Sequence, residues 1–272
     1  MNLSGIQANK SEPAKWLTRQ RAFSRIDLLA VIFTVLFLGL WLGVTHWGER
    51  GRITRCQANL SALGKAMQGY AHDDNGAIPA AGINLGKLQA TWDMKLFPFL
   101  KPGLAKANND ELFEIAPRFF ACPSDKVPHK KTLRSYAMGG NDMLPEHWPP
   151  GRDSATGVGL FWNKQTVLSL LDDAALKTPD TLPALKISSI PVPADTVLVA
   201  EFIAPNNTMG SISQVTVSGV SQQQQFFKDG GVGFHHGRFN YLMSDGHVEF
   251  LSPLQTGSFD GSSGIWSLKK GD

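Results

Sequence analysis

Residues 21–47 read RAFSRIDLLAVIFTVLFLGLWLGVTHW. The last twenty of these, 28–47, contain no Lys, Arg, Asp or Glu. A helix rises about 1.5 Å per residue, so the run predicts a helix of roughly 30 Å, the thickness of a bilayer's hydrocarbon core. An ordinary secretory signal has a shorter apolar region, about 7 to 15 residues, followed by a small-residue cut site. Here the run is longer and is followed by Glu49, Arg50, Arg52 and Arg55. Lys10, Lys15, Arg19, Arg21 and Arg25 precede it. That bias predicts a cytoplasmic N-terminus and a body outside.

Beyond the run, Ile53, Cys56, Leu60, Leu63, Met67 and Tyr70 recur at steps of three and four. This is one apolar stripe on a helix, expected to dock on a globular body. Asp73-Asp74-Asn75-Gly76 is a stop signal, because Asn and Gly accept left-handed backbone, and Pro79 follows. A helix unbroken from Phe23 to His72 would be roughly 75 Å long, with Gly48 and Gly51 permitting a bend.

The chain has 272 residues, room for one domain plus an anchor, and a net charge of +3. So mild a balance, without a clustered basic face, argues against nucleic acid as a partner. Cys56 and Cys122 are the only cysteines, too few for a four-cysteine zinc site. In an oxidising compartment they are a candidate disulfide; two buried free thiols are the alternative.

In the body, residues 92–100 predict a short amphipathic helix ended by Pro98. Residues 119–125 predict a strand running into a turn, and 135–139 and 196–202 predict strands. Residues 144–190, rich in Pro, Asp and Thr, are expected as a loop-rich insertion with one short helix near 166–171. The polar tract Gln222 to Gln225 is expected as an exposed loop. Near the C-terminus, GFHHGRFNYLMSDGHVEFL covers residues 233–251. Gly237 predicts one turn, and Asp245-Gly246 a tight hairpin turn with positive φ, closing a β-meander. His235, His236, Asp245 and His247 are residue types that ligate metals or work as a base with its orienter. No nucleophile motif, HExxH helix or phosphate loop accompanies them, so they are expected to be structural. The expectation is no enzyme, no catalytic residue, no metal and no cofactor.

The residues around the start of the apolar run resemble the type IV prepilin cleavage site. That site has a small residue, usually Gly, then Phe, an acid at the fifth mature position and an apolar helix. Here Ala22 stands for the Gly and Asp27 for the acid, usually Glu. The resemblance implies cleavage between Ala22 and Phe23 and methylation of the Phe23 amine. An acid in an apolar helix is costly unless paired, and its partner in such an assembly is the amine of a neighbouring copy. Cys56, Asn59-Leu60, Leu63-Gly64, Tyr70, Asn75-Gly76 and Pro79 resemble the post-anchor segment of pilin-like proteins with a C-terminal H-X9-DG motif. His235 followed by nine residues and Asp245-Gly246 matches that motif.

The resemblance implies an α+β fold, a long N-terminal, partly transmembrane helix packed on a small, mainly antiparallel sheet. The expected layout is a leader over 1–22, a helix over 23–75 (crossing the membrane at about 28–47) and a pilin-like domain over 76–272. The implied function is a pilin or pseudopilin subunit, cut by a prepilin peptidase and assembled with other pilin-like subunits in a type IV pilus-like or type II secretion-like system. The implied location is the inner membrane, single-pass, with the body periplasmic or at the cell surface. A second class is a membrane-anchored binding module, for instance for polysaccharide, using Trp148, Trp162 and other aromatics.

Overall fold

The computed structural model describes residues 24–101, 114–129, 131–141, 157–178, 181–228, 234–257 and 263–268. Ala22, Phe23 and Trp148 lie outside them. The chain divides into two units, Met1–His46 and Trp47–Asp272.

Helix α1 runs Arg25–Asp73 and stays helical through Gly48 and Gly51. Its start is a reciprocal cap. Ser24 Oγ accepts the backbone N–H of Asp27 at 3.2 Å, and Asp27 Oδ2 accepts the N–H of Ser24 at 2.9 Å. In the first unit, the apolar side chains that follow are exposed, Leu29 at 65%, Phe33 at 71% and Leu40 at 68%. In the second unit, α1 carries the expected stripe. Cys56, Leu60, Leu63 and Met67 are all fully buried. The helix ends where Asn75 and Gly76 take φ of 54° and 82°, and Gly76 N–H returns to Ala71 O at 2.7 Å.

The rest of the second unit builds one sheet from β1 (Gly82–Asn84), β2 (Gln89–Thr91), β3 (Tyr136–Asn141), β4 (Gly159–Asn163), β5 (Val197–Glu201), β6 (Thr216–Val217), β7 (Phe239–Met243) and β8 (Val248–Leu251). The order is β2-β1-β4-β3-β5-β7-β8, with β6 also paired to β3. Between them lie helices α2 (Trp92–Leu100), α3 (Pro117–Phe120), α4 (Lys164–Leu170) and α5 (Gly219–Lys228). Helix α2 and strand β3 both face the core, where Trp92 packs edge-on against Phe120 at 5.6 Å.

The expected fold class is corrected in two respects. The sheet is mixed: β1/β4, β3/β4 and β3/β6 are parallel, while β1/β2, β3/β5, β5/β7 and β7/β8 are antiparallel. Two of the three parallel pairs need β4, which lies in the stretch expected as an insertion and sits inside the sheet between β1 and β3. Beside it, a Cβ on Gly139 would lie 2.9 Å from Val197 O, so only glycine lets β3 approach β5 this closely. Further, no helix among the described residues is long and apolar enough to cross a membrane.

Three local expectations change as well. Residues 117–120 are helical, because Pro117 starts a turn that ends before Cys122. Helix α2 continues through Pro98 to Leu100. The glutamine tract lies in α5, and Gln223 is buried.

Candidate functional site

The conspicuous chemistry lies where α1, the segment after α3, the end of β5 and the approach to β7 meet. A disulfide joins Cys56 of α1 to Cys122, with Cα atoms 5.1 Å apart. Strand β5 is buried at every position and ends in Glu201, an acid with no exposure. A buried carboxylate is costly unless hydrogen-bonded. Glu201 is satisfied: Oε2 accepts Asn240 N–H at 2.7 Å, and Oε1 accepts Asn240 Nδ2 at 3.0 Å.

His235 completes the cluster. Its backbone φ is +44°, and His236 and Gly237 follow at +59° and +84°. Left-handed backbone is uncommon for residues other than glycine, and each such residue costs about 1 kcal/mol or more. The turn puts the His235 ring inside at 2% exposure, leaves His236 outside and feeds the chain into β7. His235 Nδ1 lies 2.7 Å from Glu49 Oε1, and Nε2 lies 3.3 Å from Glu201 Oε1 and 3.4 Å from Cys122 Sγ. Phe250 meets the ring edge-on at 6.2 Å.

Burial on its own pulls the His235 pKa down. The hydrogen bonds and charges of Glu201 and Glu49 outweigh it, and the pKa lies above the ordinary 6.5. Burial pushes Glu49 up, but His235, Arg52 and Ser124 together hold it below its usual 4.5. Arg52 Nε donates to Glu49 at 2.7 Å, and Ser124 Oγ at 2.9 Å. The imidazolium thus sits between two carboxylates, one on α1 and one on β5.

Asp245 and Gly246 lie at the other end of β7, in the hairpin to β8. Gly246 N–H bonds Met243 O at 2.9 Å, and Met243 N–H bonds His247 O at 2.8 Å. Gly246 has φ +99°, while Asp245 is not among the positive-φ residues, so the turn needs one left-handed residue rather than the two expected. Asp245 Oδ1 accepts His247 N–H at 3.1 Å and faces His247 Nδ1 at 2.6 Å. The two side chains are partly exposed, and neither is brought to His235. The four candidate residues therefore form no single cluster: His236 is outside, and Asp245 with His247 caps a turn.

The two ends of the motif meet the same helix. His235 binds Glu49, while a Cβ on Gly246 would lie 3.0 Å from Gln68 Nε2. Glu49 and Gln68 are about 28 Å apart along α1, at about 1.5 Å per residue. Between them a Cβ on Gly64 would come within 2.9 Å of Leu242, so α1 lies flush on β7.

Sequence reasoning missed Glu49, Glu201 and Asn240. The signal was available for Glu201, a lone acid at the end of Thr196-Val197-Leu198-Val199-Ala200. It also missed Arg134, fully buried, which donates to Asp93 Oδ2 at 3.0 Å and Asn207 Oδ1 at 2.6 Å. Arg134 further donates to the carbonyls of Ser211 and Ser213, both at 3.1 Å, tying the loop before β6 to α2. Trp162, expected as an exposed aromatic, is instead buried and donates Nε1–H to Pro183 O at 3.1 Å.

Comparison with known proteins found no matching family model, no matching curated protein and no matching solved structure.

Proposed function

We propose that the chain is a pilin-like structural subunit, cut by a prepilin peptidase before Phe23 and assembled with other pilin-like subunits through the start of α1. The observation that carries this is the exposed apolar face of the first unit, headed by one acid. Ile26, Leu29, Phe33, Leu36 and Leu40 are each 65% exposed or more. Apolar surface on this scale is covered by a partner or by lipid. Asp27, at its head, is exposed.

Asp27 has a local task too, as the third helical residue of the Ser24 cap. Cleavage before Phe23 would leave the new amine one residue ahead of that cap. A neighbour's amine then pairs with the exposed carboxylate, offsetting its cost among apolar side chains.

The body fits this role, since buried His235 and Glu201 fasten helix α1 to the sheet. The disulfide fits an extracytoplasmic body, periplasmic or at the cell surface. The apolar face fits storage at the inner membrane before assembly. The binding-module alternative loses one of its two named aromatics, because Trp162 is enclosed.

The test is cross-linking in native membranes with three forms of the chain. The native chain should give ladders of cross-linked subunits. Asp27→Ala should lose them while retaining a folded body. Ser24→Ala, which removes the cap but keeps the acid, should retain them. Ladders unchanged in Asp27→Ala would overturn the proposal.

A further inference from the structure

Cys56 Sγ, Cys122 Sγ, His235 and Glu201 each offer one ligand atom, and these atoms all lie within 4.8 Å of one another. All four residues are buried. We infer that, once the disulfide is reduced, these four residues form a zinc site. This does not depend on whether the chain assembles.

The chemistry of the donors selects the metal. Two thiolates, an imidazole and a carboxylate form a soft, mixed set that suits Zn(II) in tetrahedral geometry. With bonds of about 2.0–2.3 Å, the edges of such a tetrahedron are roughly 3.3–3.8 Å. Two edges already have this length: His235 Nε2 to Glu201 Oε1 at 3.3 Å and His235 Nε2 to Cys122 Sγ at 3.4 Å. The outer partners are in place as well. Glu49 at 2.7 Å holds the Nδ1–H of His235, which leaves the Nε2 lone pair for the metal. Asn240 fixes both oxygens of Glu201. Ser124 and Arg52 in turn hold Glu49.

A phosphine reduces the disulfide with two electrons and becomes its oxide, taking oxygen from water, whose two protons complete the two thiols. Zinc then displaces both thiol protons and the proton on His235 Nε2, because only the deprotonated donors bind. Zinc uptake by the reduced protein therefore releases protons.

The experiment uses the purified full chain, oxidised and phosphine-reduced, loaded with zinc chloride and freed of excess metal by gel filtration. One zinc per chain is expected in the reduced protein and none in the oxidised protein. Cobalt(II) in place of zinc should show a thiolate-to-metal charge-transfer band and a tetrahedral visible spectrum. Cys56→Ser with Cys122→Ser should bind none. Glu49→Gln keeps all four donors and should lower zinc affinity about tenfold or more, so the proposal is tested even where the double serine variant fails to fold. Equal zinc in oxidised and reduced protein would overturn it. So would a cobalt spectrum without the thiolate band, or an unchanged affinity in folded Glu49→Gln.

Discussion

His235 Nδ1 lies 2.7 Å from Glu49 Oε1, so the chain entering β7 is fastened to helix α1 by a charge-assisted bond. The same ring meets Glu201 at the end of β5, which makes one buried histidine the junction of helix and sheet. Its protonation should be visible in stability.

The pKa of His235 is raised by folding, so its contribution is fully present below the ordinary 6.5 and is lost as pH rises through the folded value. Glu49 is lowered, so its contribution is present above the ordinary 4.5 and is lost as pH falls through the folded value. Thermal stability should therefore be highest between about 4.5 and 6.5 and should fall on both sides. Melting temperatures across pH should show a steeper alkaline decline in the native chain than in His235→Gln, where only the partly exposed His247, whose pKa is also raised, remains. Parallel curves for the two would exclude the ring as its source.

The disulfide closes a sequence separation of 66 residues. In the chain-entropy model such a closure contributes about 4 kcal/mol. Cys122→Ser should lower denaturant stability by an amount of that order, measured in metal-free buffer. A change below about 1 kcal/mol would mean that the packing of α1 alone holds the body.

Gly246 has φ +99° and faces Gln68. Gly246→Ala should cost about 1–2 kcal/mol from backbone strain, read from urea unfolding. Adding Gln68→Ala removes the steric neighbour and should recover only part of this. Full recovery would mean that the turn itself tolerates a side chain.

The buried Arg134–Asp93 pair is braced by Asn207 and by Gly210 N–H, which donates to Asp93 Oδ2 at 2.9 Å. Asp93→Asn leaves an unpaired buried guanidinium and should cost about 3–5 kcal/mol in chemical denaturation. A loss under about 1 kcal/mol would show that Asn207 and the two serine carbonyls suffice.

What was legible in the sequence was periodic or local. Cys56, Leu60, Leu63 and Met67 repeat at helical steps and are buried together. The β-branched run 196–200 is a buried strand, and Asn75-Gly76 ends the helix. What was not legible depends on partners far apart in the chain. Strand β4 carries Gly159-Leu160-Phe161-Trp162-Asn163 amid Pro- and Asp-rich sequence, and its neighbours β1 and β3 come from elsewhere. No local pattern reveals a parallel pair. The glutamines of α5 look polar, yet Gln223 is buried because it bridges Glu201 O and the Tyr241 hydroxyl. Likewise Glu49 reads as an ordinary charge after an apolar run, and only the fold brings it to a histidine 186 positions away.

The proposed subunit stands most directly on its N-terminus. Mass spectrometry of the protein from native membranes should find the mature chain beginning at Phe23, with a methyl group on its amine. Protein retaining Met1 and residues 1–22, with an unmodified amine, would contradict the account.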